Sequence, residues 1–321
     1  MLIDQISNTS SSNAKLAITE FKKNFPLGSF LHFFVEAGGG ASLNHDTNLV
    51  SQGEFRQLDT AYQGKKTASD STTDFLLKIF GKQVRADGAR SRRGVLSGGS
   101  DPVATALVRN LKSFSGNLGK EFMGYVINGN HSVDSKQFDG LRVLCAGLPA
   151  TQTLTDFGEN GLQVLDGISD TAVKSQQKFI KALRKLIRSV GGGASCIVMA
   201  EEAVSILTTI ADQAVQITED EFGRQITKFD RIPIVGGGYT PAGVENLPFS
   251  ETLGTSVNCS SIFAFRSEEQ AYLSMMTTPY GLYVGEPVAN DVFSEILVEL
   301  QCDSGCFNDR SIACLPGLRV G

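Results

Sequence analysis

Residues 101–128 constrain the fold most, because they are predicted to form one long helix with a single apolar face. Asp101 is a good N-cap, and Pro102 suits the first helical position. Apolar residues then recur every three or four positions, at Val103, Leu107, Leu111, Phe114, Leu118, Phe122 and Tyr125. Each of three glycines should weaken this helix by up to about 1 kcal/mol relative to alanine: Gly116, Gly119 and Gly124. A helix about 40 Å long with one apolar face needs a broad partner such as a sheet.

The chain before this helix has the opposite character. Residues 33–70 are rich in Gly, Ser, Asn, Gln and Thr, with only isolated apolar side chains. Such a long segment is unusual inside a compact domain, so it is either disordered or a long hairpin that packs outside its own domain. Residues 7–13 are polar and predict part of a mobile N-terminal arm, followed by a short amphipathic stretch at 14–25.

After the long helix, helical and strand patterns alternate. The patterns predict helices at 170–190 and 201–210, strands at 196–199, 222–229, 232–235, 261–266 and 292–300, a loop at 236–258 and a short closing element at 311–315. The strand at 292–300 has no evident partner in the αβ lobe that precedes it. We therefore expect an α+β protein whose C-terminus returns to the earlier, discontinuous domain.

Composition narrows the class of protein. The 321 residues are 41% hydrophobic and 20% charged, which is typical of a soluble globular chain of about two domains. The net charge of −5 argues against a protein whose main role is nucleic-acid binding. The N-terminus lacks a secretory pattern and no apolar run is long enough to span a membrane, so we expect the cysteines to stay reduced.

Patterns typical of catalytic sites are absent from the sequence. It contains no phosphate-binding G-x-x-x-x-G-K-[ST], no H-E-x-x-H and no G-x-S-x-G. The glycine triplets at 191–193 and 236–238 are interpreted as turns. On an extended strand Cys302 and Cys306 would lie about 13 Å apart, so these two and Cys314 are interpreted as buried thiols rather than zinc ligands. The sequence thus predicts no catalytic, cofactor-binding or metal-binding residue.

Other polar residues are interpreted as surface, turn or capping positions: His32, His45, His131, Asp134, Asp139, Glu219, Asp220 and Glu221.

Four segments in order resemble the major capsid proteins of tailed bacteriophages. They are FMGYVINGNHSVDSKQFDGLRVL at 122–144, ITEDEFGRQITKFDRIPIV at 217–235, SSIFAFRSEE at 260–269 and GLYVGEPVANDVFSEILVELQCDSGCFN at 281–308. The sequence departs from the family at Arg231, where a small residue is common, and at Cys302 and Cys306, where aromatic or aliphatic residues are usual. No Lys, Asn and Glu set could be aligned with the family's self-cross-linking chemistry.

The resemblance implies the Hong Kong 97-like capsid fold. Its parts would be an N-terminal arm at 1–32, an extended loop at 33–70, a peripheral domain at 71–139 and 290–321, and an axial domain at 140–289. The spine helix of the peripheral domain would occupy about 101–128. We expect the arm and the extended loop to be buried only against neighbouring copies.

The function implied is that of a structural protein. Copies of the chain would form hexamers and pentamers that close into an icosahedral phage head in the bacterial host cytoplasm and remain in the virion capsid. Implied partners are packaged double-stranded DNA held by non-specific contact, a separate scaffolding protein, a portal and a decoration protein, with no membrane. The alternatives are an encapsulin-like nanocompartment, a gene transfer agent shell, or a soluble α/β enzyme.

Candidate inter-subunit contacts come from the extended loop and from the densest basic stretch. Arginine pairs well with carboxylates of a neighbour or with phosphates, although a solvated loop explains the basic stretch equally well. The candidates are Phe55, Arg56, Tyr62, Arg85, Arg92 and Arg93.

Overall fold

The computed structural model describes residues 12–35, 40–46, 70–87, 102–211, 214–268, 272–289 and 292–320. The helices are α1 (Ser12–Lys23), α2 (Pro102–Asn128), α3 (Leu141–Ala146), α4 (Asp170–Ser189) and α5 (Glu201–Ile210), with 3-10 turns at Pro26–Ser29 and Ala150–Gln152. The predicted long helix is therefore present from Pro102, while its proposed cap, Asp101, lies outside the described residues.

Two larger sheets and one hairpin make up the described strands. The first sheet contains β1 (Phe33–Val35), β4 (Lys78–Asp87), β12 (Leu273–Val284), β13 (Val288–Ala289) and β14 (Phe293–Cys306). The second contains β5 (Leu162–Val164), β6 (Cys196–Met199), β7 (Val215–Glu219), β8 (Gln225–Phe229), β9 (Ile232–Gly236), β10 (Glu251–Leu253), β11 (Ser256–Phe265) and β15 (Ile312–Val320). The hairpin pairs β2 (Gly40–Asp46) with β3 (Asp70–Leu76).

The first sheet confirms that a strand near the C-terminus, β14, pairs with a strand that precedes the long helix, β4. Strand β14 lies between β12 and β4, antiparallel to both. Its burial alternates along much of its length, with Ile296, Val298, Leu300 and Cys302 facing the core, as expected of a strand with one covered face. The core of this sheet is continuous with that of the second sheet.

Sheet membership does not follow the expected division of the chain at residues 289 and 290. Strand β12 belongs to the first sheet with β4, whereas β15 belongs to the second sheet, between β5 and β11. The closing strand is also longer than predicted, because the pairing shifts by a bulge where Pro316 and Gly317 interrupt the apolar pattern.

The described part of the arm is buried against its own subunit, contrary to the expectation that the arm is buried only against neighbouring copies. Helix α1 packs along α2 of the same chain, and its buried residues are Ala14, Ala17, Ile18 and Phe21. An amphipathic helix beside a glycine-containing face can bury its apolar stripe locally. The expectation that the arm is buried only against other copies is therefore wrong for residues 12–32.

The hairpin between β8 and β9 turns through Asp230 and Arg231, whose φ angles are 48° and 72°. Two consecutive positive φ angles define the I′ type of turn, in which glycine is favoured at the second position. This explains why a small residue is common at the position before β9, and it means that Arg231 occupies a strained position.

We expect Arg231→Gly to raise the free energy of unfolding by roughly 1 kcal/mol, because glycine adopts this φ without a Cβ clash. Urea denaturation followed by circular dichroism would measure the change. Arg231→Ala is the matched control, since it removes the same side chain and keeps the strained Cβ. An equal gain in both variants would contradict the backbone explanation.

Candidate assembly surfaces

The junction between α1 and α2 is held by aromatic rings and a close helix approach. Phe122 is fully buried, and its ring centroid lies 5.0 Å from that of Phe25 and 5.8 Å from that of Phe21. Phe80 of β4 and Phe138 contact the same ring at 5.8 and 5.6 Å. This cluster, the phenylalanine cluster, joins the segment at 12–32, α2 and the first sheet.

A glycine allows the two helices to approach. A Cβ at Gly119 would lie 2.6 Å from the carbonyl oxygen of Phe21 and 3.2 Å from Cβ of Asn24. At Gly116 the nearest atom would be Nδ2 of Asn24, at 3.1 Å, which belongs to a side chain. These glycines, interpreted from the sequence only as weak points of the helix, therefore lie in the α1–α2 interface.

Arg224 ties the arm to the second sheet. Its guanidinium donates to the carboxylate of Asp220 at 2.6 Å and to the carbonyl oxygen of Lys23, also at 2.6 Å. The second acceptor lies at the C-terminal end of α1, where a cation complements the helix dipole. Asp220 also accepts the backbone N–H groups of Phe222 and Arg224, so it is a turn residue as expected.

The Asp220 carboxyl has a pKa below its ordinary value. Burial alone would raise the pKa, but the N–H of Arg224, its guanidinium and the N–H of Phe222 outweigh that effect. Because the folded pKa is lower than the unfolded one, the ionised carboxylate stabilises the fold above about pH 4. That contribution is lost as the pH falls through the folded pKa.

We expect Arg224→Ala to lower the free energy of unfolding by about 1 kcal/mol near neutral pH, through loss of the bonds to Asp220 and Lys23. The variant should also show a weaker fall in stability than the wild type between pH 5 and pH 3. Urea titrations across that range measure both effects. Arg109→Ala, which removes an exposed arginine elsewhere, is the control, and a pH slope unchanged in Arg224→Ala would contradict the assignment.

The β2–β3 hairpin is fixed at its base to β14. The carboxylate of Asp303 accepts the backbone N–H of Leu76 at 3.0 Å and that of Ser304 at 2.8 Å. Burial raises the pKa of Asp303, and the charge of Asp139 adds to this, against the N–H bonds and the nearby Lys78. Leu76 itself is 65% exposed, so the hairpin base presents apolar surface to solvent.

The first sheet carries further exposed apolar side chains. Tyr280 is 72% exposed and its ring lies 6.4 Å from that of Tyr283 in an edge-on arrangement. The others on this sheet and its connections are Val35, Ile79, Val288 and Val292. Exposed apolar groups of this kind mark candidate contact surfaces when they cluster.

Only one of the six candidate contact residues lies in the described part of the chain. Arg85 donates from Nε to Glu295 at 2.9 Å, and its guanidinium lies 4.6 Å from the ring centre of Phe293. Its carbonyl accepts the side-chain amide of Asn110, which links β4 to α2. Its proposed contact with a neighbour stays a prediction. The other candidates lie outside the described residues: Phe55, Arg56, Tyr62, Arg92 and Arg93.

A basic groove lies between α4 and the end of α5, and the sequence analysis missed it. The groove has a volume of about 840 Å³, and Ile180 and Ile210 contribute to its apolar floor. Its rim cations are Lys181, Arg184, Lys185 and Arg188. Their i, i+3, i+4 and i+7 spacing on one helix face is the signal in the sequence that could have identified it.

The cysteines are free thiols, as expected. Cys145, Cys196, Cys259 and Cys302 are buried, whereas Cys306 and Cys314 are only partly buried, which corrects the expectation of buried thiols at these two positions. Burial raises the pKa of Cys306 to about 12, so this thiol is protonated at neutral pH. Across the described ranges, no group of three or more His, Cys, Asp or Glu side chains is arranged to hold a metal ion.

Among the helices that the structure describes, none has both the length and the apolar character required to cross a bilayer.

Comparison with known proteins gives structural matches only. No family model matches the chain, and no curated relative matches it. The chain is similar to the holo-SrpI encapsulin complex of Synechococcus elongatus PCC 7942, at 14% identity and a TM-score of 0.57, over 91% of this chain and 87% of that one. It is similar to the capsid of an empty GTA particle at 11% identity and a TM-score of 0.54, over 91% and 89%. It also matches a chain of the satellite phage P4 procapsid at 8% identity and a TM-score of 0.51, over 95% and 99%. The expected capsid fold is thereby confirmed.

Proposed function

We propose that this chain, which has the Hong Kong 97-like capsid fold, is the major capsid protein of a tailed phage. Many copies would associate as hexamers and pentamers into a closed icosahedral shell. The observation that carries the proposal is the extent of the structural match. At least 91% of the chain superposes on proteins described as an encapsulin complex, a capsid and a procapsid.

The subunit supplies the surfaces that such assembly needs. A β2–β3 hairpin fixed at its base by Asp303, a sheet with exposed apolar residues and a basic groove lie on separate elements. Contacts between unlike surfaces repeat around a symmetry axis and close into rings, so that weak individual contacts sum to a stable container. In this role the protein is structural, and its function requires no catalytic step.

We assign the domains by sheet membership. The peripheral domain comprises the first sheet with α2, and the axial domain comprises the second sheet with α4 and α5. The described arm, 12–32, packs within its own subunit, and β1 (Phe33–Val35), which was expected to belong to the extended loop, is part of the first sheet. For the rest of the extended loop, up to residue 70, we keep the proposed contact with neighbouring copies. On this assignment β12 belongs to the peripheral domain and β15 to the axial domain.

The proposed partners follow from the shell. They are further copies of the chain, packaged double-stranded DNA held without sequence preference, a scaffolding protein, a portal and a decoration protein. The net charge of −5 is consistent with weak DNA contact, which would assist packaging and release. Assembly would take place in the cytoplasm of a bacterial host, and the mature location would be the virion capsid.

A protein-filled compartment is the second candidate, and one observation favours it. The TM-score of 0.57 to the encapsulin complex exceeds the 0.51 to the phage P4 procapsid. A gene transfer agent shell is a further alternative. The phage head, the protein-filled compartment and the gene transfer agent shell differ in their cargo rather than in the fold of their subunits.

Electron microscopy of the full-length protein tests the proposal. The chain is expressed alone and together with candidate scaffolding genes, purified by size and imaged by negative stain. Closed shells or six-fold rings are expected. A homogeneous monomer in both preparations would overturn the shell function and favour a soluble enzyme. Extraction of purified shells then separates long DNA, short DNA and protein as cargo.

A further inference from the structure

The basic groove combines an apolar floor with an excess of positive charge. The floor is formed by Ile180, Ile210, Ala211 and Ala214. Of the described residues that line the groove, four are cations; Arg184 and Lys185 are each paired with an aspartate, so two positive charges remain in excess in a chain whose net charge is −5. A negatively charged, partly apolar surface is the occupant that this chemistry favours.

Two of the four cations are available to a partner. Arg184 donates to Asp230 at 2.8 Å, and Lys185 pairs with Asp156 at 2.8 Å. In the described part of the chain, no ion pair engages Lys181 or Arg188. Both belong to the face of α4 that borders the groove, and both are exposed.

The chain itself carries a surface of the complementary chemistry at β7. This strand lies at one end of the second sheet, with β8 on one side only among the described strands. Ile217 is 60% exposed, and Glu219, two residues later, lies on the same face of the strand. Glu221 continues the acidic character into the hairpin turn. We call Ile217, Glu219 and Glu221 the acidic tip.

The acidic tip is held in place within its own subunit. Asp220, between the two glutamates, is bound by Arg224, which also bonds to the end of α1. Glu219 and Glu221 are exposed, and no described residue forms an ion pair with either. A surface fixed before association loses less conformational freedom when it binds.

We propose that the basic groove of one copy receives the acidic tip of a second copy. Ile217 would contact the floor at Ile180 and Ile210, while Glu219 and Glu221 would pair with Lys181 and Arg188. Because groove and tip are different surfaces, the contact is head-to-tail and closes into a ring at a suitable rotation. This inference rests on the proposed shell function and assigns one of its subunit contacts.

Charge reversal tests the contact. Lys181→Glu with Arg188→Glu is expected to reduce assembled rings and shells at least tenfold, measured by sedimentation velocity and negative-stain microscopy. Adding Glu219→Lys and Glu221→Lys to that variant restores opposite charges across the contact, and assembly should recover. The matched control is Lys174→Glu with Lys178→Glu, which makes the same change in net charge on the same helix outside the groove lining. Circular dichroism melting shows whether each variant is folded.

The outcomes separate this inference from the proposed function. Wild-type shells together with normal assembly of the groove variant would overturn the groove contact and leave the shell function intact. Shells of the groove variant that form normally but lose bound nucleic acid, seen as a lower ratio of absorbance at 260 nm to that at 280 nm, would assign the groove to nucleic acid instead. Equal loss of assembly in the control pair would also overturn the contact, whereas a monomeric wild type would overturn both proposals.

Discussion

Phe122→Ala should lower the free energy of unfolding by about 3–5 kcal/mol, the largest single-residue effect that we expect in this chain. The ring is 0% exposed and lies within 5.8 Å of four other phenylalanine rings, so its removal leaves a cavity that several elements border. Guanidinium denaturation measures the loss. Trypsin cleavage at Lys22 or Lys23 should also become faster, because α1 loses its main apolar contact.

Tyr280→Ala is the control for this prediction. It also replaces a large aromatic residue, but the side chain is 72% exposed, and we expect a change of less than about 0.5 kcal/mol. A loss below about 1 kcal/mol in Phe122→Ala, with unchanged trypsin cleavage, would show that α1 does not pack on the phenylalanine cluster.

Gly119→Ala should destabilise the protein by roughly 2 kcal/mol, although helix propensity alone predicts a gain of about 1 kcal/mol. The new Cβ would lie 2.6 Å from the carbonyl oxygen of Phe21, which is a backbone atom and cannot rotate away. The two helices would have to separate, and the phenylalanine cluster would loosen. Thermal and urea denaturation measure the sign directly.

Gly116→Ala provides the comparison within the same helix. Its Cβ would meet the side-chain amide of Asn24 at 3.1 Å, a group that can shift. We expect this variant to be more stable than Gly119→Ala by about 2 kcal/mol or more. If both substitutions stabilise the protein equally, the close helix approach at Gly119 is not part of the fold in solution.

Local patterns predicted much of the secondary structure. The apolar spacing from Leu107 to Tyr125 lies on α2, and the helix predicted at 170–190 is present as α4. The apolar run at 196–199 forms β6, because four consecutive buried residues fit a strand covered on both faces. The fold class came from the order of four segments that resemble a family, which periodicity alone could not supply.

Long-range features escaped the sequence analysis for a physical reason. Gly119 and Arg224 each depend on a partner more than 90 positions away, so neither has a local signature. The pattern of β15 was hidden by Pro316 and Gly317, which a bulge accommodates. The basic groove needs both α4 and the end of α5, and only the first carries a visible charge pattern.

The path of the chain between the two sheets has a mechanical consequence. Three connections join them, through α2 between β4 and β5, between β11 and β12, and between β14 and β15, and their core is continuous. Because the two sheets share one core, we expect a change in the packing of one sheet to alter the packing of the other. In a shell of such copies we expect each subunit to move as a nearly rigid body. A change in shell curvature would then occur at the contacts between subunits, and mutations that alter particle size should be sought there.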